Sequence, residues 1–274
     1  MLWRLLSAVI AAVLIGIASI SLWIPILIYR PAPLTQAAPS AWGMPSARIV
    51  SVPSGRGDHL FGWWLRPPTR GAPVVLIVHG RSGNISTRAS IAARLSADGF
   101  GVLLFDFRGY GRSTGQSSER TLTEDATAAY DWLRRQDVDA RQIVVLGQSL
   151  GDAAAAQLTA LRPVRALALV SPFTSLPGAL ADSVPWLPTH LLPWSQNRFE
   201  VKASIRTLRV PVLFVISRDD GIVPYANSRR LAAAARDVRW LELDGQRHNG
   251  LLAAASASGR LSQALKLLTS DTPM

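Results

Sequence analysis

The sequence predicts an α/β protein with a mostly parallel sheet covered by helices on both faces. Three observations carry that reading. Short apolar runs at 74–78, 102–105, 143–146, 166–170, 212–216 and 238–243 alternate with amphipathic segments. That alternation is the signature of βαβ units whose strands are buried on both sides. The runs end in His79-Gly80, Asp106, Gly147-Gln148-Ser149, Ser171, Asp219-Asp220 and, just past the last run, the loop at His248. Polar residues therefore gather at the carboxyl ends of the strands, where open α/β sheets place their sites.

In chain order, residues 5–29 carry no charged side chain and lie between Arg4 and Arg30. At about 1.5 Å per residue they reach roughly 37 Å, enough to cross a hydrocarbon core of about 30 Å with some tilt. Trp23 and Tyr29 stand near one end, where amphipathic aromatics favour the membrane interface. The stretch is longer than the apolar core of a cleaved signal peptide. Residues 1–30 are thus expected to form a single-pass membrane anchor, here assigned to a bacterial inner membrane. Arg4 and Arg30 leave its orientation open. Pro31, Pro33, Pro39 and Pro45 make 31–47 a linker, and the folded domain is expected over 48–274.

Within the domain, 46–52 and 59–66 alternate as an opening hairpin about Ser54-Gly55-Arg56-Gly57. Helices are expected over 85–98, 121–135, 150–161, 225–236 and 250–269. The second of these would start with a capping box, Thr121 to Glu124. Residues 172–209 form an insertion rich in proline, leucine and tryptophan, with Trp186 and Trp194.

The composition narrows the chemistry. There is no cysteine, which excludes disulfides, thiolate metal sites and a cysteine nucleophile. The four histidines are dispersed and no HExxH occurs, so no metal or other cofactor is expected. Lys and Arg total 29 against 18 Asp and Glu, but the charge is scattered and marks no nucleic-acid face; a negatively charged lipid surface suits it better. A nucleotide site is disfavoured too, since Gly109–Gly115 lacks the G-x-G-x-x-G spacing and no Walker lysine motif exists.

The sharpest motif is Gly147-Gln148-Ser149-Leu150-Gly151, between a strand and a helix. Two glycines permit the tight turn that lifts a serine hydroxyl over the sheet edge and aims a helix N-terminus at it. A serine nucleophile needs a base, and the base an orienting acid. His248 follows the last strand, whereas His190 lies in the insertion. Asp219 and Asp220 both follow the preceding strand, and spacing does not separate them.

The order Ser149, Asp220, His248, with GQSLG at the elbow, resembles the α/β-hydrolase superfamily, in particular membrane-anchored serine hydrolases related to acylglycerol lipases and lysophospholipases. The resemblance spans about residues 48–270. It includes the HGxxGN-like segment from His79 and the D-F-R-G-x-G-x-S segment from Asp106. It implies an α/β-hydrolase fold and hydrolysis of carboxylic esters, acyl or lipid esters among them, through an acyl-enzyme. It selects Asp220, four residues before Pro224, as the acid. It implies an oxyanion hole from the backbone N–H groups of Arg81 and Leu150, and it makes 172–209 a cap in which Trp186 and Trp194 would meet an acyl chain. His79, Asp106 and Arg108 would organise the surrounding loops. Arg81 and Asp152 depart from the family's small residues. Asp152 suits the helix dipole, but its charge would oppose anionic substrates. Those departures are the support for an alternative, a catalytically inactive, membrane-tethered binding module. Thioesters and peptides are further substrates for the same constellation.

Overall fold

The computed structural model describes residues 28–186, 189 and 197–270, together with positions 3, 4, 6, 7, 11, 16 and 26. The segment expected to span a membrane, and with it Trp23, falls mostly outside the described residues. Among those described, no helix is long and apolar enough to cross a membrane.

The sheet has eight strands: β1 (Arg48–Pro53), β2 (His59–Leu65), β3 (Val74–Val78), β4 (Gly101–Phe105), β5 (Ile143–Gln148), β6 (Ala166–Val170), β7 (Val212–Ile216) and β8 (Val238–Glu242). Their order across the sheet is β1-β2-β4-β3-β5-β6-β7-β8. Only β2 runs antiparallel to its neighbours. Every residue of β3 to β7 is buried, which explains their unbroken apolar runs. The edge strands β1 and β8 are mixed, and exposed Trp240 of β8 is covered by Arg229, 4.4 Å above its ring.

The two-residue period of a strand sends Val74, Leu76 and Val78 to one face and Val75 and Ile77 to the other. On the first face lie α2 (Glu119–Arg135), α3 (Leu150–Leu161), α5 (Val201–Thr207) and α6 (Tyr225–Ala232), through residues such as Leu122, Leu158, Ile205 and Leu231. The second face carries α1 (Ala89–Ala97), α7 (Leu251–Ala257) and α8 (Arg260–Thr269), through Ile91, Leu251 and Leu265. The remaining helix, α4 (Leu176–Ser183), belongs to the insertion.

Several expected elements are revised. Helix α2 starts two residues earlier than its apolar period suggests. Ser118 caps it, exchanging bonds with Thr121: the Thr121 N–H donates to Ser118 Oγ and the Ser118 N–H to Thr121 Oγ1. Glu124 is instead held by Arg108 at 2.7 Å. The helix expected over 85–98 opens as a 3-10 turn, Ile85–Arg88, capped by Asn84. The single helix expected over 250–269 is two, because Gly259 adopts φ +73° and turns the chain.

The proline-rich stretch 31–47, expected as a spacer, packs onto the domain. Leu34 and Met44 are buried, and Trp63 Nε1 donates to the carbonyl of Ala37. Arg30–Pro31 pair in parallel with Ser82–Gly83 just after β3. Proline removes donors here, and some of the remaining amides and carbonyls bond to the domain: the Ala32 N–H donates to Gly83 O, and Asn84 Nδ2 donates to the carbonyls of Ala32 and Pro33.

Candidate active site

At the end of β5 the chain turns sharply into α3. Ser149 sits at φ 52°, ψ −118°, a region that costs a non-glycine residue about 1–3 kcal/mol. Neighbouring bonds hold it there. The Ser149 N–H donates to Val170 O and the Asp152 N–H to Ser149 O, each at 2.9 Å. Both flanking glycines are required by close approach. A Cβ at position 147 would stand 2.8 Å from Asp152 Cα, and one at 151 would collide with the carbonyl oxygens of Val78 and His79.

The structure brings three of the predicted residues into one chain of hydrogen bonds. His248 Nε2 lies 2.9 Å from Ser149 Oγ. Its Nδ1 lies 2.8 and 3.0 Å from the two oxygens of Asp220. With the Nδ1 proton donated to the carboxylate, Nε2 presents its lone pair to the serine hydroxyl. Asp220 is fixed in turn by the N–H groups of Ile222 and Val223, both 2.9 Å from Oδ1. Burial pushes the Asp220 carboxyl up, but the bond to His248, its charge and these two amides outweigh it, so the group titrates below its ordinary value. Asp219 is engaged elsewhere. Its Oδ2 accepts from the Gly245 N–H at 2.6 Å and ties down the start of the histidine loop.

Beside the serine, β3 ends in His79-Gly80-Arg81. A Cβ on Gly80 would lie 3.6 Å from that of Ser149, so this loop abuts the nucleophile position. His79 is fully buried against Phe107 and Tyr110, with ring centroids 4.7 and 5.0 Å away. Burial, then the charge of Arg88, hold its pKa down to about 3. As a neutral ring it donates from Nδ1 to Gly80 O at 2.7 Å. That carbonyl belongs to the same peptide unit as the Arg81 N–H, and in a trans peptide the two point in opposite directions. His79 thereby orients the Arg81 amide. The Arg81 carbonyl accepts from Tyr110 Oη and from the Arg30 N–H, at 2.7 and 2.9 Å. Leu150 is the first residue of α3, a position whose amide has no acceptor within its own helix.

A brace that no sequence pattern reveals stands behind the loop. Arg88 donates from Nε to Gln148 Oε1 and from Nη1 to Ser82 O, each at 3.0 Å. Asp106 Oδ1 accepts from the Ile85 N–H at 2.8 Å. Burial raises the Asp106 carboxyl to about 7, against the lowering effects of the Ile85 amide and Arg88. Arg108 organises its loop as expected, donating at 2.7 Å both to Asp125 and to Glu124. Of the two tryptophans expected to meet an acyl chain, Trp186 is 82% exposed and Trp194 lies outside the described residues.

Asp152 corrects the sequence reading. It is fully buried under the elbow. Its Oδ1 accepts from the Val170 N–H at 3.2 Å, and its Oδ2 has no hydrogen-bond partner among the described residues. Burial pushes this carboxyl well above its ordinary range, against the lowering effect of its backbone bonds. Burial thus favours its neutral form, and the enclosed side chain does not face solvent. The folded state keeps a proton that the unfolded state releases as pH rises through the ordinary carboxylate range. Stability from this group is complete in acid and declines upward, by up to about 1.4 kcal/mol per pH unit. Asp152→Asn, which keeps an acceptor for Val170, is expected to flatten the fall in Tm between acidic and neutral pH; thermal melts across that range check it.

Comparison with known proteins agrees with this fold. The family model for serine aminopeptidase, S33, matches residues 70–202. An uncharacterized protein of Mycobacterium tuberculosis is 43% identical over 223 residues, covering 77% of this chain and 78% of its own. The lysophosphatidylserine lipase ABHD12 of Danio rerio is 30% identical over 198 residues, 65% of this chain and 51% of the lipase, so the match spans about half of that protein. Among solved structures, the Pyrococcus furiosus esterase Pf2001 superposes with a TM-score of 0.71 at 20% identity, covering 89% of this chain and 100% of the esterase.

Proposed function

Because this chain belongs to the α/β-hydrolase superfamily, we propose that it is a serine hydrolase of carboxylic esters, acting on acyl or lipid esters at a membrane. One observation carries the reading: the continuous hydrogen-bonded series from Ser149 through His248 to Asp220, in the loops after the carboxyl ends of β5, β8 and β7.

In this mechanism Ser149 Oγ attacks the ester carbonyl carbon while His248 Nε2 takes its proton. Asp220 holds the imidazole in the required tautomer and stabilises the imidazolium that forms. The carbonyl oxygen becomes an oxyanion received by the backbone N–H groups of Arg81 and Leu150, each such donor lowering the barrier by about 3 kcal/mol. Collapse expels the alcohol, which takes the proton from His248, and leaves an acyl-enzyme on Ser149. Water, deprotonated by the same imidazole, then releases the carboxylic acid.

Residues 5–29 would anchor the enzyme in the bilayer. The lipid-ester reading draws on the insertion with its apolar residues and on the similarity to a lysophosphatidylserine lipase. The matched family model favours one second reading, an aminopeptidase. Such a substrate brings a free ammonium group, and Arg30 and Arg81 beside the elbow make an unfavourable setting for it. An ester panel graded by chain length, assayed beside an aminoacyl amide and an acyl thioester, separates these readings. Activity rising with acyl length is expected, and Ser149→Ala serves as the control. Cleavage of the amide without the esters would reverse the assignment.

A further inference from the structure

The chain leaves its uncharged segment at the rim of the candidate site. Tyr29, the last residue of that segment, is buried; its hydroxyl donates to Asn197 Oδ1 at 2.9 Å and its ring meets Phe199 edge-on at 6.5 Å. Asn197 and Phe199 belong to the insertion. The next residue, Arg30, donates its N–H to the carbonyl of Arg81, and Ala32 donates to Gly83. Ala32 O also accepts from the Gly111 N–H in the loop that follows β4. Within four residues of the uncharged stretch, the chain is bonded to the insertion, to the loop beside the nucleophile and to the β4 loop. No flexible spacer separates the segment from the site.

The rim itself has the chemistry of an interfacial surface. Trp186 and Ile222 are 82% and 46% exposed. They share one side of the mouth, because Ser183, at the end of α4, donates to the carbonyl of Ile222. Arg30 and Arg81 stand together on the other side. Arg30 is exposed, and burial, then the charge of Arg30, hold the Arg81 guanidinium below its ordinary value. Of the acids on this edge, Asp182 pairs with Arg230 and Glu200 with Arg198, while Glu119 accepts from the Phe199 N–H and Asp219 from the Gly245 N–H.

We propose that this rim is the membrane-facing surface of the protein: residues 28–33 fasten the carboxyl-end edge of the sheet against the bilayer, so that the site opens onto the headgroup region and draws its ester from the leaflet. The occupant is a lipid surface with anionic headgroups, which the two arginines attract, while exposed tryptophan favours the interface. This rests on the anchoring of residues 5–29 proposed above. It does not depend on which bond the site cleaves.

The absence of native cysteine makes the test direct. The full chain carries one cysteine in place of Ile222, of Trp186, or of Thr69, an exposed residue that precedes β3 at the opposite edge of the sheet. Each variant is labelled with an environment-sensitive fluorophore. It is then reconstituted in vesicles of phosphatidylcholine and phosphatidylglycerol containing a nitroxide-labelled phospholipid. The labels at 222 and 186 are expected to be quenched several-fold more strongly than the label at 69. Equal quenching, or stronger quenching at 69, in protein that floats with the vesicles would overturn the orientation and leave the anchor standing. Protein that fails to float overturns the anchor and the orientation together. None of these outcomes reads activity, so a failed ester assay is a separate result.

Discussion

Ser149→Ala is expected to lower kcat by about 10⁵- to 10⁶-fold while leaving Tm and the rest of the site in place. The serine hydroxyl is the only group in the constellation able to become the acyl carrier, and the chain holds no cysteine to substitute for it. Its Oγ is bonded to His248 Nε2, so removing either partner ends the same step. His248→Ala should therefore cost about as much, and the double variant little more than either single one, since residues acting as a unit do not add. A residual rate above that in water, about 10³–10⁴-fold, would remain from the backbone donors and substrate binding. Steady-state hydrolysis of a short-chain chromogenic ester by the three variants, with thermal melts alongside, measures all of this.

The second large effect separates two adjacent aspartates. Asp220→Asn is expected to lower kcat by about 10⁴-fold, and Asp219→Asn by no more than a few-fold. Asp220 Oδ1 receives the N–H groups of Ile222 and Val223 while Oδ2 receives His248 Nδ1. An asparagine that keeps its oxygen on the two amides turns its NH₂ toward Nδ1. That selects the tautomer with the proton on Nε2, which cannot accept from Ser149. Asp219 spends its carboxylate on the Gly245 amide, an acceptor role that an asparagine oxygen retains. Paired pH–rate profiles of the two variants carry the comparison. Comparable losses in both would mean that Asp220 acts only by supporting its loop.

Apolar periodicity is enough to locate the strands and most helices. The runs at 74–78, 166–170 and 212–216 and the helix at 150–161 keep their expected bounds, because a strand buried on both faces and a helix in contact with it leave an unbroken record in composition. The order of strands across the sheet leaves no such record. Periodicity also misplaces elements whose ends are decided by single polar atoms. Ser118 rather than Thr121 starts α2, and the left-handed Gly259 divides the last helix. Residues 31–47 read as a spacer because their prolines leave no regular pattern. Their docking depends on individual amides and carbonyls meeting partners 26 or more positions away, Trp63 and Asn84 among them.

Within the site, the elbow and its histidine are readable from a motif and a position. The choice between Asp219 and Asp220 needs either the family register or the direction of each carboxylate. Arg88 belongs to no motif, and its bonds to Gln148 and Ser82 follow only from the folded path of the chain. Asp152 misleads for a related reason. An acid in a first helical turn is ordinarily solvated and charged, and only the packing of α3 beneath β6 shows that this one is dry.

The central claim is that Ser149, activated by His248, forms a covalent bond to the acyl carbon. Its most direct measurement is labelling of the full chain by a fluorophosphonate probe, followed by mapping of the modified peptide. Stoichiometric labelling on Ser149, abolished in Ser149→Ala and strongly slowed in His248→Ala, is the predicted result. Wild-type protein labelled no faster than Ser149→Ala, or labelled at another residue, would contradict it.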